Sequence, residues 1–353
     1  MLFSIIIPVC NGEKYLKESV DSALSQKESF NGDKFEIIIV ENGSTDKTPE
    51  IADSLSQKHE NIRCIHRGRI GLFAARQEGI LEAGGDYIIA LDADDKLASC
   101  ALRDLDGAIR DCKKSGYDVD MLIFRASELT DDGNGKMLHE KLLEDGKVYE
   151  GESKEELYKL FAYGDSINSM WTKCIKRSIA AIDHDGIFIN NGEDLYQTAV
   201  YLDRARAVSY LDKSLYLYRR AGESMTSTYS ASYLDDEKKV WLQMDAFLKK
   251  RNNPTYDKWV EERKALTCSI QAGNVVYSGI GLDKKSKALD ELFSDEYFRQ
   301  YGTMDLPKWA PEQPKEIHDM LLSKDAKKLL LATARKHDLK VAIKKMRNRI
   351  FGN

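Results

Sequence analysis

The chain has 353 residues, room for a sizeable core and about two domains, and its 42% hydrophobic and 31% charged content is that of an ordinary soluble globular protein. A net charge of -5 argues against nucleic acid as the main partner. No apolar stretch approaches the ~20 residues that span a bilayer, and residues 1–9 are too short, and lack the basic flank, for a signal peptide. The six cysteines are dispersed with no C-x-x-C pair, which points to reduced thiols in a cytosolic protein rather than zinc or disulfides.

Residues 3–9, Phe-Ser-Ile-Ile-Ile-Pro-Val, read as a buried strand that ends at Pro8. Asn11-Gly12 makes a turn, and residues 13–26 show helical spacing, with Tyr15, Leu16, Val20, Ala23 and Leu24 on one apolar face. A second strand, 35–40, runs into Glu41-Asn42-Gly43-Ser44-Thr45-Asp46, and Pro49 suits the first turn of the next helix, where its missing N–H has no partner to lose. A third strand at 61–66 and a helix at 70–83, stopped by Gly84-Gly85, precede a fourth strand at 87–91. Strands alternating with helices at this rhythm predict βαβ units, an α/β fold with a mainly parallel sheet. The turn after the first strand has a single glycine, so a dinucleotide fingerprint is missing, as is a P-loop lysine motif. Phosphates would therefore be held by a metal and basic side chains.

The fourth strand stops abruptly in three carboxylates, Asp92, Asp94 and Asp95. In open α/β sheets ligands bind at the carboxyl ends of strands, and side chains two apart on extended chain share a face, so Asp92 and Asp94 can meet one ligand. Crowded carboxylates repel unless a cation lies between them, and hard oxygens suit Mg²⁺ or Mn²⁺ shared with phosphates. The plainer alternative leaves the acids solvated in a turn, with Asp95 capping a helix that starts near Leu97. We assign that role to Asp95 and not to the pair.

Further on, residues 119–129 read as a strand, 131–135 as a polar turn and 155–163 as a helix, while 171–175 carries no decisive pattern. Residues 187–195, Ile-Phe-Ile-Asn-Asn-Gly-Glu-Asp-Leu, lead into a helix to about Leu202, and two short strands at 208–210 and 215–218 precede a basic, then small and polar loop, 219–226. His184 between Asp183 and Asp185 reads as a solvated turn, and Trp171 and Trp241 as core. Past residue 230 helical patterning dominates, with 234–250, 259–278 and 284–293 the clearest pieces, so the domains expected are 1–230 and 231–353. The last thirty residues carry ten Lys/Arg against two Asp, interleaved with Leu329, Leu330, Ala334, Leu339, Ala342, Ile343, Met346 and Ile350. Such a segment either lies on an anionic membrane surface or is the charged face of a helix packed on the body.

Four pieces stand in one order: Ile-Ile-Ile-Pro-Val-Cys-Asn at the first strand end, Ile-Ile-Ile-Val-Glu-Asn-Gly-Ser-Thr-Asp at the second, Gly71-Leu72-Phe73-Ala74-Ala75-Arg76-Gln77-Glu78-Gly79, and Leu91-Asp92-Ala93-Asp94-Asp95. As a set they closely resemble the family 2 glycosyltransferases, bacterial enzymes with the GT-A, nucleotide-diphospho-sugar transferase fold, over about residues 1–230. The resemblance implies that Pro8, Val9 and Asn11 line the nucleotide pocket, with Ala93 beside the donor. Glu41 stands where the family usually has an aspartate that hydrogen-bonds uracil. Asp92 would contact the ribose or donor sugar, Asp94 would bind the metal that bridges the diphosphate, and Arg76 would sit near the diphosphate and Asp92. Asp194 matches the family's catalytic base, with Glu193 beside it. Arg219, Arg220, Ser224 and Thr226 resemble a loop that closes over the diphosphate. Each has a plainer competitor: a helix first turn that favours acids for Glu193 and Asp194, a surface helix position for Arg76 and an ordinary polar loop for the last four.

The expectation is an inverting transferase dependent on Mn²⁺ or Mg²⁺, which moves a sugar from a UDP-sugar to a hydroxyl of a glycan or lipid-linked acceptor in bacterial surface polysaccharide synthesis. The protein would be cytoplasmic or peripheral on the inner face of the cell membrane. Its helical part would support the acceptor site, form a homodimer interface or dock on the membrane. Two rivals stand beside this: a non-catalytic scaffold that kept the fold, and a sugar-nucleotide pyrophosphorylase, for which residues 8–13 lack the glycine-rich, basic loop.

Overall fold

The computed structural model describes all residues except 1, 31–34, 131–134, 183, 185, 186, 221–229, 231, 352 and 353, together with the side chains of 345–347 and 349–351. Ser224 and Thr226, and most of the polar turn at 131–135, lie outside the described residues. The chain forms two compact units, residues 1–221 and 222–353.

The first unit starts with β1 (Phe3–Val9), every residue of which is buried, followed by α1 (Leu16–Leu24) and the single turn α2 (Gln26–Ser29). Next come β2 (Phe35–Asn42), α3 (Thr48–Lys58), β3 (Ile62–Arg67), α4 (Leu72–Glu82) and β4 (Tyr87–Ala90). Pro49 sits in the first turn of α3, as its chemistry requires. The remainder is β5 (Lys96–Leu97), α5 (Ala101–Lys114), β6 (Met121–Glu128), β7 (Val148–Glu150), α6 (Glu155–Tyr163), β8 (Lys173–Lys176), α7 (Arg177–Ala180), α8 (Glu193–Arg204) and β9 (Ala207–Tyr218). The strands form one sheet in the order β3-β2-β1-β4-β8-β6-β9-β5, with β7 paired to β9. The four strands from β3 to β4 are parallel, and β8 runs antiparallel between β4 and β6. The expected α/β fold with a mainly parallel sheet is what forms.

This order creates a topological switch point. From β1 the chain steps outward to β2 and β3, then returns to place β4 on the other side of β1. The segments that follow β1 and β4 therefore diverge, and the crevice between them is where an open α/β sheet binds its ligand. Asn11 and the Asp92–Asp94 pair sit on the two lips of that crevice.

Two local expectations are corrected. Asp95 does not cap a helix at Leu97. Lys96–Leu97 pairs with β9 as a short strand, and α5 begins at Ala101. The Asp95 carboxylate is buried instead, accepting hydrogen bonds from the Tyr216 hydroxyl (2.7 Å) and the Arg219 backbone N–H (2.6 Å). The two short strands expected at 208–218 are one strand, β9. The polar residues between its apolar ends form a bulge against β6, where the register jumps from Phe124↔Leu211 to Arg125↔Ser214. Arg125 then pairs with the extruded Asp212 at 2.8 Å.

The second unit is helical: α9 (Tyr233–Lys249), α10 (Pro254–Tyr277), α11 (Leu282–Ser294), α12 (Glu296–Tyr301), α13 (Glu312–Leu321) and α14 (Ala326–Phe351). Its core gathers Leu234, Cys268, Val275, Leu289, Phe298, Ile317 and Leu330, among others. The basic helix α14 divides in two. Leu330 and Ala334 are fully buried and Lys285 pairs with Asp338 at 2.7 Å, whereas Leu339, Val341 and Ile343 are exposed. No helix among the described residues is long and apolar enough to cross a membrane.

Helix α4 can lie close on β1 and β2 because it turns a glycine toward them. A Cβ on Gly79 would collide with the Ile6 Cγ2 methyl and come within 3.1 Å of Val40 Cγ2. In Gly79→Ala the overpacking, typically 1–3 kcal/mol, outweighs a helix-propensity gain of up to about 1 kcal/mol. The variant is expected to lose about 1–2 kcal/mol of stability, read as a lower midpoint in a urea melt with unchanged slope.

Candidate active site

Arg76 is the centre of the site. It lies on α4, one turn beyond the Gly71 N-cap whose φ of +89° only glycine adopts readily, and it is 1% exposed. Its Nη1 donates to Asp194 Oδ1 and to Gln197 Oε1, each at 2.7 Å, and its Nη2 stands 4.0 Å from Asp92 Oδ1. One buried guanidinium thus joins the acidic end of β4 to the first turns of α8. This excludes the surface-helix alternative for Arg76. Burial disfavours its charge, but Asp194, Asp92 and Glu193 outweigh that and hold it firmly protonated.

Asp194 is fixed from two sides, since its Oδ2 also accepts the Met170 backbone N–H at 3.1 Å. Glu193 precedes it on α8, and burial, reinforced by repulsion from Asp194, pushes its carboxyl up to about 7. Asp92 is half-buried; burial raises it to about 6, with Arg76 pulling down and Asp194 and Asp94 pushing up. The Asp92 backbone N–H donates to the Tyr216 hydroxyl at 3.1 Å, which holds the strand end in place.

Asp94 differs from its neighbours. It is half-buried, and among the described residues no group donates a hydrogen bond to its carboxylate. A hard, unengaged carboxylate at a strand end beside a second one is a donor set that fits Mg²⁺ or Mn²⁺.

On the opposite lip, Asn11 adopts φ +55° and knits two turns together. Its backbone N–H donates to Ser44 Oγ (2.9 Å), and its Oδ1 accepts from the Thr45 N–H (2.8 Å). Glu41 is buried at the end of β2, where Oε1 accepts the Ser44 N–H at 2.6 Å and Oε2 lies 3.5 Å from His66 Nδ1. Val9 and Glu41 are register partners in adjacent strands, so Pro8, Val9, Asn11 and Glu41 share one end of the sheet.

Of the basic loop, Arg219 turns back to the acidic strand end: its Nε donates to the Asp94 carbonyl (2.8 Å), its Nη2 pairs with Glu18 (2.7 Å), and its guanidinium stacks over the Tyr15 ring. Arg220 pairs with Glu128 at 2.6 Å. His184 lies edge-on to Phe73 and Tyr196, and its flanking residues 183 and 185 are outside the described set.

Sequence reasoning missed two contributors. Gln197 lies one turn along α8 from Asp194, an i,i+3 spacing that would have put it on the same face. Lys173 is fully buried, donating to the Ile167 and Ser169 carbonyls (2.7 and 2.6 Å), so it fixes the segment that presents Met170 to Asp194. Burial pushes its ammonium down to about 7. A lysine inside an apolar stretch was its only signal. Trp171 stacks on Tyr216 and Tyr218 with centroids 4.8 and 5.7 Å away, which agrees with a packing role.

Residues 4–157 match the family model for glycosyl transferase family 2. They form a family 2 glycosyltransferase domain. The relatives extend the likeness along the chain. EpsH of Bacillus subtilis strain 168, provisionally named a glycosyltransferase, is 26% identical over 306 residues, 85% of this chain and 82% of its own. The glycosyltransferase GlyA of Streptococcus pneumoniae is 28% identical over 240 residues, 65% of this chain but 32% of GlyA, so the chain spans about a third of that relative. Among solved structures, residues 1–349 of Staphylococcus aureus TarS in complex with UDP-GlcNAc superpose with a TM-score of 0.54 at 19% identity, covering 97% of this chain and 92% of that one. The family of residues 4–157, the GT-A-like fold and the class of enzyme are therefore those that the four motifs imply.

Asp92 makes the site sensitive to pH. Its pKa of about 6, against an ordinary 3.8, means that the native state binds more protons than the unfolded chain over that interval. The stability it contributes is present below about 4 and lost as pH rises through about 6. Asp92→Asn removes this slope. Its stability relative to the unsubstituted protein is expected to improve between pH 4 and 7, then level off, in urea melts at a series of pH values.

Proposed function

We propose that this chain is an inverting, metal-dependent glycosyltransferase that moves one sugar from a UDP-sugar to a hydroxyl of a glycan or lipid-linked glycan in bacterial surface polysaccharide synthesis. The observation that carries this is the Arg76 bridge, which sets Asp194 beside the carboxylate-tipped end of β4. A divalent cation, Mn²⁺ or Mg²⁺, held by Asp94 would neutralise charge on the departing diphosphate.

The remaining roles belong to the chain's own side chains. Asp194 accepts the proton of the attacking hydroxyl, and Arg76 and the Met170 N–H keep it oriented. A single base on the face opposite the leaving group gives inversion. Asp92 and Ala93 meet the ribose or donor sugar, Pro8, Val9 and Asn11 flank the nucleotide, and Glu41 supplies the acceptor for the base. The complex of TarS with UDP-GlcNAc supports a UDP-sugar for a protein of this fold. The loop residues Arg219, Arg220, Ser224 and Thr226 remain candidates for closing over the diphosphate, and residues 1–230 are the catalytic part.

Nucleotide release from a panel of UDP-, GDP- and dTDP-sugars with Mn²⁺ or Mg²⁺ tests the class. Turnover of one donor, abolished in Asp94→Ala, is expected; manganese-independent binding with no turnover under any acceptor would favour a scaffold. With an acceptor in hand, Asp194→Asn should lower kcat by about 10²–10⁴ with little change in donor KM, whereas Glu193→Gln should fall by less than tenfold. An equal loss in both would move the base to Glu193.

The exposed Leu339, Val341 and Ile343, set among lysines on α14, support contact with an anionic membrane surface near a lipid-linked acceptor. A chain ended after Asp338 keeps Leu330 and Ala334 in their core. It is expected to lose co-sedimentation with anionic vesicles; unchanged sedimentation would leave the tail as a solvated face.

A further inference from the structure

The edge of the sheet farthest from β5 carries a second constellation that the transfer reaction does not use. Asp53 on α3 and Cys64 and His66 on β3 bring Oδ1, Sγ and Nε2 to within 4.8 Å of one another. Cys64 and His66 are two apart on the strand and so share a face, the one that α3 covers. His66 Nε2 is 3.5 Å from Cys64 Sγ and 2.8 Å from Asp53 Oδ1. The other ring nitrogen is also occupied. His66 and Glu41 are register partners across β3 and β2, and Nδ1 faces Glu41 Oε2 at 3.5 Å.

We propose that Asp53, Cys64 and His66 form a zinc-type cation site, distinct from the carboxylate site at Asp94. Three observations converge on it. A tetrahedral Zn²⁺ with Zn–S of about 2.3 Å and Zn–N of about 2.0 Å holds its sulfur and nitrogen ligands about 3.5 Å apart, and Cys64 Sγ and His66 Nε2 already stand at that separation. A carboxylate stands at each ring nitrogen, Asp53 at Nε2 and Glu41 facing Nδ1, so the ring is held in place, and when Nε2 gives up its proton to a metal Glu41 remains at Nδ1, as in metal-bound histidines. The donor set of sulfur, imidazole and one carboxylate is soft to borderline, which selects Zn²⁺ or Co²⁺ over the hard Mg²⁺ and Mn²⁺ suited to Asp94.

Burial and the carboxylates of Asp53 and Glu41 push the Cys64 thiol up to about 12. A divalent cation reverses that local field. On binding, sulfur–metal and nitrogen–metal bonds form, and the thiol proton and the Nε2 proton directed at Asp53 pass to solvent. Nδ1 keeps its proton toward Glu41, and Asp53 trades its hydrogen bond to His66 for the metal. Three protein ligands leave a fourth position for water. The ion ties the edge strand β3 to α3 and pins the ring that faces Glu41, and so fixes one wall of the sheet end where Glu41 lies.

Co²⁺ titration of the full chain in a non-thiol reductant tests this without reference to donor turnover. A one-to-one near-ultraviolet thiolate-to-cobalt charge-transfer band is expected, displaced by Zn²⁺ and resistant to excess Mg²⁺. Cys64→Ser should abolish the band, His66→Gln should weaken Co²⁺ binding by about tenfold or more, and Cys10→Ser and Cys100→Ser should keep it, all with unchanged circular dichroism. Zn²⁺ should also slow alkylation of Cys64 by iodoacetamide in the unsubstituted protein but not in His66→Gln. Absence of the band, or its survival in Cys64→Ser, overturns the site.

Discussion

The first unit is built around a buried positive charge. A guanidinium removed from water carries a desolvation cost of several kcal/mol, tolerable only where partners satisfy it. Here the partners are Asp194 and Gln197 from α8, with Asp92 from the end of β4 close by. The acids depend on Arg76 in turn, because Asp92, Glu193 and Asp194 would repel one another without a cation among them. The packing follows from this. Helix α4 approaches the sheet through Gly79, Arg76 reaches across the crevice, and α8 closes on it with its acidic first turn.

The same crowding explains why adjacent aspartates behave differently. Asp92 is half-buried beside Arg76, the Asp94 carboxylate is unengaged among the described residues, and Asp95 is buried behind them, held by the Tyr216 hydroxyl and the Arg219 N–H, with burial pushing its carboxyl up to about 7. Their division of labour comes from position relative to the sheet. β9 brings Tyr216 beneath the strand end, and Arg219 follows directly, so one strand both supports the Asp92 backbone and sequesters Asp95. The metal-binding role we propose for Asp94 needs this separation, since a carboxylate left open to a cation and one already bound as an acceptor cannot occupy equivalent places.

The second unit packs by a simpler rule. Its core is aliphatic and aromatic, and its buried cations are met by nearby acids or carbonyls, as Lys285 is by Asp338 and the Val276 carbonyl. Of the two alternatives for the basic tail, the packed helix holds for the first half of α14. The first half contributes Leu330 and Ala334 to the core, and the second presents apolar side chains among lysines.

Much of the first unit was legible in the order of its residues. Continuous apolar runs gave β1, β2 and β4, Pro49 and Gly84-Gly85 marked helix ends, and carboxylates at a strand terminus pointed to the crevice, because each of these depends on neighbours within one or two turns of chain. The motif set likewise carried the family. Tertiary structure alone decided what each polar group does. Asp95 reads as a helix cap until β5 and β9 form around it, and residues 208–218 read as two short strands until pairing with β6 shows one strand with a bulge. Lys173 and Gln197 acquire roles from partners far along the chain. Ligand spacing in sequence records only local loops, whereas Cys64 and His66 meet Asp53 through a strand pressed under a helix, and the cation site we propose rests on that meeting. Local propensity is written along the chain; desolvation and charge pairing are set by whatever the fold brings within a few ångströms.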